Sequence, residues 1–73
     1  MDSKLQKIIA DYFQVEQKEI NKETVAADIS GWDSFSHMDL ISTIEDQLKI
    51  DIPFDAIMEF ECVGDIDAFI QNQ

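Results

Sequence analysis

The sequence predicts an all-α fold, a small four-helix bundle of three principal helices and one short helix, with a long first loop. Three observations predict it. Apolar residues recur at helical spacing in separate segments. Alternation of the β type is confined to Ile50-Asp51-Ile52, too short for a sheet. A chain of 73 residues holds one core at most, and its 45% apolar content is enough to form it, so residues 1–73 read as a single domain.

Ser3 is placed to cap the first helix, with Gln6 three residues on in the spacing of a capping box. Leu5, Ile8, Ile9, Tyr12 and Phe13 then follow the i, i+3, i+4, i+7, i+8 pattern, which predicts a helix over residues 4–14 with one apolar stripe. From Val15 to Asp33 the periodicity weakens. Val15, Ile20, Val25 and Ile29 are spread through polar sequence, as in a long loop pinned to a core at intervals, and loops of this length tend to be functional. The loop closes on Ser30-Gly31-Trp32-Asp33, where Gly31 is free to take positive φ. A second helix is expected from Ser34 to Leu48 or Lys49. Pro53 holds the residue before it extended and opens a short third helix, with Phe54, Ile57, Met58 and Phe60 supplying apolar contacts. Val63, Ile66, Phe69 and Ile70 mark a last helix over 63–71.

Sixteen acidic residues stand against five basic ones, a formal charge of −11, and no arginine is present. Phosphate backbones are bound through Lys and Arg, so nucleic acid is excluded as a natural partner, and an anionic membrane surface with it. Such a field attracts basic protein surfaces and speeds their encounter. Cys62 is the only cysteine, which rules out an internal disulfide and a cysteine-rich metal site, and no metal is expected. The start of the chain leads into an amphipathic pattern and not into an apolar leader. No apolar run approaches membrane-spanning length. A soluble, cytoplasmic, monomeric protein is expected.

On a helical wheel of residues 34–48, Leu40, Ile41, Ile44 and Leu48 share one arc and form the core stripe. Phe35 and Met38 fall outside it, together with Asp39, Ser42, Glu45, Asp46 and Ser34. Apolar side chains ringed by acids read as a contact surface, in which the apolar atoms supply buried area and the acids steer a basic partner. The alternative is that Phe35 tucks under the long loop and Met38 fills a gap in the core.

Asp33-Ser34 is a helix-start pair, and either oxygen could cap the free backbone N–H groups. A helix start is also a favourable place for a phosphate, because unpaired N–H groups and the positive end of the dipole face it. Gly31-Trp32-Asp33-Ser34-Phe35, with Met38, Asp39, Leu40 and Ile41 after it, resembles the attachment motif of acyl carrier proteins. The likeness continues through Glu45-Asp46-Gln47-Leu48-Lys49-Ile50-Asp51-Ile52-Pro53, similar to that family's acidic helix end and I-x-I-P turn. It extends to Val63-Gly64-Asp65 and Phe69-Ile70, similar to its last helix. The resemblance implies that Ser34 accepts 4′-phosphopantetheine from coenzyme A through a phosphopantetheinyl transferase, with Asp33 helping that enzyme to position the serine. The arm's thiol then carries acyl groups as thioesters to partner enzymes with basic surfaces, which implies docking through Phe35, Met38, Asp39, Glu45 and Asp46. In such a protein the arm supplies the reactive thiol and the chain supplies the address, so no catalytic residue is expected.

Three positions depart from the commoner family pattern. Phe35 follows the serine where leucine or methionine is usual. Trp32 stands where many fatty-acid carriers have a small residue, and Trp-Asp-Ser with His37 three residues beyond the serine resembles discrete carriers of specialised pathways. Cys62 replaces a threonine cap before the last helix, which predicts a weaker cap. A Ser34/His37 hydrolase lacks a nucleophile elbow and an oxyanion hole, and the acids do not follow calcium-loop spacing. The alternative from another class is an unmodified acidic adaptor that binds a basic partner through the second helix.

Overall fold

In the computed structural model, which describes all 73 residues, the first helix opens on Asp2 and not on Ser3. Asp2 Oδ1 accepts the Lys4 N–H at 2.8 Å, so Ser3 becomes the first residue of helix α1 (Ser3–Phe13). A carboxylate brings a full negative charge to the positive end of the helix, which a serine hydroxyl does not. Gln6 takes no part in the cap. Its Nε2 donates to Gln17 O at 2.8 Å and Ile20 O at 2.7 Å, stitching α1 to the loop that follows. Of the expected stripe, Leu5, Ile8 and Ile9 are buried and Tyr12 and Phe13 pack partly buried against the core; Ala10 is buried as well, and the helix ends at Gln14 in the left-handed region.

Three more helices complete an all-helical architecture: α2 (Ser34–Leu48), α3 (Phe54–Glu59) and α4 (Val63–Gln71). Leu40, Ile41 and Ile44 of α2 are buried as the wheel predicts, with Leu48 packed at the core's edge. They join Ile57 of α3 and Val63 and Ile66 of α4 in one cluster of thirteen buried residues. No helix is long and apolar enough to cross a membrane.

The long loop is less irregular than its sequence suggests. Two 3-10 turns, Gln17–Glu19 and Ala26–Asp28, shape it, and Ile20 and Ile29 reach the core as expected. Thr24 is a third anchor that apolar patterning does not reveal. It is buried, its Oγ1 accepting the Asn21 N–H at 2.9 Å and donating to Glu19 O at 3.3 Å.

That loop also caps α4. The Cys62 side chain forms no capping bond, as its chemistry predicts. The helix start is nevertheless satisfied, because Val63 N–H donates to Thr24 O at 2.9 Å and Gly64 N–H to Lys22 O at 2.8 Å. Loop carbonyls thus take the place of the missing side-chain cap, so the expected weakness is compensated from a distant segment. The approach is close. A Cβ on Gly64 would lie 2.7 Å from Lys22 O, a backbone atom with little freedom to yield. Gly64→Ala is therefore expected to destabilise by about 1–3 kcal/mol, the usual range for overpacking, and urea unfolding measures it.

Of the four residues of this segment expected to supply apolar contacts, Ile57 is buried and Phe60 partly so, whereas Phe54 and Met58 are both 62% exposed. A helix of six residues can press only one side onto a core. Positions 54 and 58, four residues apart, share the other side.

Candidate functional site

The start of α2 resolves which oxygen caps it. Asp33 Oδ1 accepts the Ser36 N–H at 2.9 Å, and Ser36 Oγ in return accepts the Asp33 N–H at 2.8 Å. This is a complete capping box. Ser36 is buried and its Oγ also donates to Gly31 O at 2.7 Å, tying the cap to the turn in which Gly31 takes φ +89°. Ser34 is spent on none of this. It is exposed, and its hydroxyl is bonded to no other group of the protein. The Asp33-x-x-Ser36 spacing was the signal in the sequence that would have identified the cap. The Ser36 N–H, foremost, holds the Asp33 carboxyl below its ordinary value of 3.8. The stabilisation that goes with this shift is present above that value and is lost as pH falls through the lowered one.

Beside Ser34 stands a chain of aromatic rings. Trp32 stacks on Phe13 at a centroid distance of 4.9 Å, and His37 lies against Trp32 at 6.2 Å. Trp32 Nε1–H donates to His37 Nδ1 at 3.1 Å, while His37 Nε2 lies 3.1 Å from Ile57 O. A carbonyl can only accept, and Nδ1 is already accepting, so these partners assign the proton to Nε2. His37 thereby ties the turn before α2 to α3. It is not oriented toward Ser34 as a base, which leaves the serine without a hydrolytic partner.

A groove of about 480 Å³ opens at Ser34 and runs between α2 and α3. Its lining is mostly apolar, with Trp32, Met38, Phe54, Ile57 and Met58 prominent. On the outer side Phe35 is 82% exposed, so it does not tuck under the loop, and Met38 lies at the groove wall with part of its side chain in water. With the exposed Phe54 and Met58, these residues extend the apolar face from α2 onto α3.

The three acids expected to dock partners differ in circumstance. Asp39 Oδ2 accepts the Tyr12 O–H at 2.6 Å, which binds it to α1. Glu45 Oε2 accepts the Ile52 N–H at 2.8 Å, which holds the extended segment after α2. Asp46 is exposed and free of such bonds. The bond to Asp39, foremost, raises the Tyr12 phenol above its ordinary 10.0, because ionising it would put two negative charges together. The neutral phenol is favoured by folding, so this contribution is fully present below pH 10.0 and is lost as pH rises through the raised value. Absorbance titration should show tyrosine ionising later than in unfolded chain, and Asp39→Asn should bring it earlier.

A profile of the family described as phosphopantetheine attachment site matches residues 3–70. An acyl carrier protein from Clostridium perfringens is 37% identical over 70 residues, covering 96% of this chain and 92% of its own. The chain belongs to the acyl carrier protein family. The solution structure of a holo acyl carrier protein from Geobacter metallireducens, 32% identical, superposes with a TM-score of 0.84 over 94% of this chain and 79% of that one. A non-reducing polyketide synthase from Penicillium herquei is 38% identical over 64 residues, 88% of this chain and 3% of the synthase. As a member of the family the chain is a carrier and not an enzyme, its cofactor is covalent phosphopantetheine, and its partners include a phosphopantetheinyl transferase and acyl-handling enzymes. The site at the start of α2 fits that group: a solvent-open hydroxyl, uncommitted to the cap, stands at the mouth of an apolar groove.

Proposed function

We propose that residues 1–73 act as a monomeric, cytoplasmic acyl-carrier domain in which Ser34 is the attachment point of 4′-phosphopantetheine. When bound, that group supplies a thiol on a long flexible arm, on which acyl groups are held as thioesters. The observation that supports Ser34 above other hydroxyls is its release from capping by Asp33 and Ser36. Asp33, held charged at the neck of α2, fixes the helix start on which a transferase positions the serine. Phe35, Met38 and the acids Asp39, Glu45 and Asp46 lie on the same side and form the address read by basic partner surfaces. Incubation with coenzyme A and a phosphopantetheinyl transferase, followed by intact-mass measurement and peptide mapping, tests the reading. One added arm on Ser34 supports it; no addition with several competent transferases overturns it and favours the unmodified adaptor.

The exposed Phe35 ring further supports service in a specialised lipid, polyketide or surface-glycan acylation pathway. A partner surface shaped for leucine meets extra volume there, and poor fit near a contact centre lowers both affinity and specificity. General fatty-acid synthesis enzymes are expected to use the loaded wild type poorly and Phe35→Leu better, as measured by malonyl transfer and condensation. Since the ring is 82% exposed, stability should move by less than about 0.5 kcal/mol. Efficient use of the wild type would remove the case for a dedicated pathway.

A further inference from the structure

We propose that Tyr12 is a positioning residue for docking: from α1 it fixes the Asp39 carboxylate of α2, so that Asp39 meets a partner's basic group already ordered. The inference rests on Asp39 belonging to the docking face, and it adds a residue of another helix to the making of that face.

The bond joins groups twenty-seven positions apart in the chain, with Tyr12 O–H donating to Asp39 Oδ2 at 2.6 Å. The donor is itself well held. Its ring is half-buried near the end of α1, packs against the core and lies edge-on to Phe13 at 4.9 Å. Asp39 is exposed, and its Oδ1 is bonded to no other group of the protein. One carboxylate oxygen is thus tied to α1 and the other is left for a partner. The phenol also lies in the field of Asp33, the residue before Ser34. Its pKa is raised foremost by the bond to Asp39, and the charge of Asp33 adds to the rise.

Position on α2 gives the bond its consequence. Asp39 comes four residues after Phe35 and seven before Asp46, so the three share one side of the helix. Asp46 has no bond to hold it and must lose side-chain freedom when a basic group pairs with it. Asp39 has already lost that freedom in folding. Both charges draw a basic surface from a distance, but only Asp39 presents its charge in a set direction. A phenol does this without cancelling the charge, as a lysine in its place would.

The test is steady-state loading by coenzyme A and a phosphopantetheinyl transferase at low salt, with the carrier concentration varied. Tyr12→Phe removes the hydroxyl and keeps the ring on Phe13. It should raise KM for the carrier roughly two- to fivefold, the scale of ordering one side chain on binding, and leave kcat unchanged. The same rise should appear when Tyr12→Phe is added to Asp46→Asn. It should vanish when Tyr12→Phe is added to Asp39→Asn, where no charge remains to be positioned. An equal rise in all three backgrounds would overturn the inference, because a hydroxyl that only staples α1 to α2 gives that result. So would a wild-type KM for Tyr12→Phe when Asp39→Asn raises it. A wild-type KM for Asp39→Asn itself overturns the docking role of Asp39 and the inference with it, whereas no loading of any form counts against attachment at Ser34. Scalar couplings between the Asp39 Hα and Hβ protons need no variant. They should report one χ1 rotamer in the wild type, and averaged couplings there would overturn the inference by themselves.

Discussion

Ser34→Ala is expected to fold as the wild type does and to accept no phosphopantetheine. Sequence alone would assign this serine a share in the helix cap, and losing a capping hydroxyl typically costs about 1 kcal/mol. The structure removes that cost. Asp33 and Ser36 form the capping box between themselves, and the Ser34 hydroxyl is exposed and unbonded. The change in stability should therefore stay within about 0.5 kcal/mol, as for a surface site without special bonds. Loading should fall from complete to none, because no other serine shares this position at the neck of α2. The control is Ser36→Ala. It leaves the attachment hydroxyl in place but removes a buried group bonded to Asp33 N–H and Gly31 O, so it should lose about 1–3 kcal/mol and still be modified. A mass shift on Ser34→Ala, or a loss of stability there equal to that of Ser36→Ala, would show that the two serines have been given each other's roles.

Most of the architecture was legible because helical spacing reports burial directly. The α2 stripe of Leu40, Ile41 and Ile44 and the bounds of α4 follow from it without tertiary information. What was hidden depends on partners distant in sequence. Thr24 is polar, and nothing local announces that it will be enclosed beneath the loop. The compensation for Cys62 comes from carbonyls of Lys22 and Thr24, some forty positions earlier, which no cap rule surveys. Phe54 and Met58 illustrate the opposite error. They were expected to supply apolar contacts alongside Ile57, but a helix of six residues buries only Ile57 and leaves both of them exposed. At the start of α2, the capping role open to Asp33 and the exposure of Phe35 were readable. The bond from His37 to Ile57 O joins two helices twenty positions apart and required coordinates.

Glu45→Ala is expected to destabilise the protein by about 1–3 kcal/mol, whereas Asp46→Asn should leave stability within about 0.5 kcal/mol. Both acids belong to the face proposed for docking, but only Glu45 also acts within the fold. Its carboxylate accepts the N–H of Ile52, a core residue just before Pro53, and so fastens the extended segment that leads into α3. Truncating it leaves that N–H without its acceptor. The backbone of α2 converges on the same place, since the N–H groups of Lys49 and Ile50 both turn back to Glu45 O. Lys49 is held there at φ 57°, a conformation that a non-glycine residue adopts only under constraint. Loosening this corner should also disturb α3 and with it the groove wall. Asp46 offers the cleaner probe of steering. Asp46→Asn should slow transferase loading at low salt, and the difference from wild type should shrink as added salt screens charges more than about 10 Å apart. Glu45→Gln separates the two roles further, because its amide oxygen can still accept from Ile52 N–H while its charge is gone. It should keep most of the stability lost in Glu45→Ala and share the salt-dependent loading defect of Asp46→Asn. Loading of Asp46→Asn at the wild-type rate in low salt would remove that residue from the docking face. A Glu45→Ala protein as stable as wild type would show that the bond to Ile52 contributes nothing to holding α3.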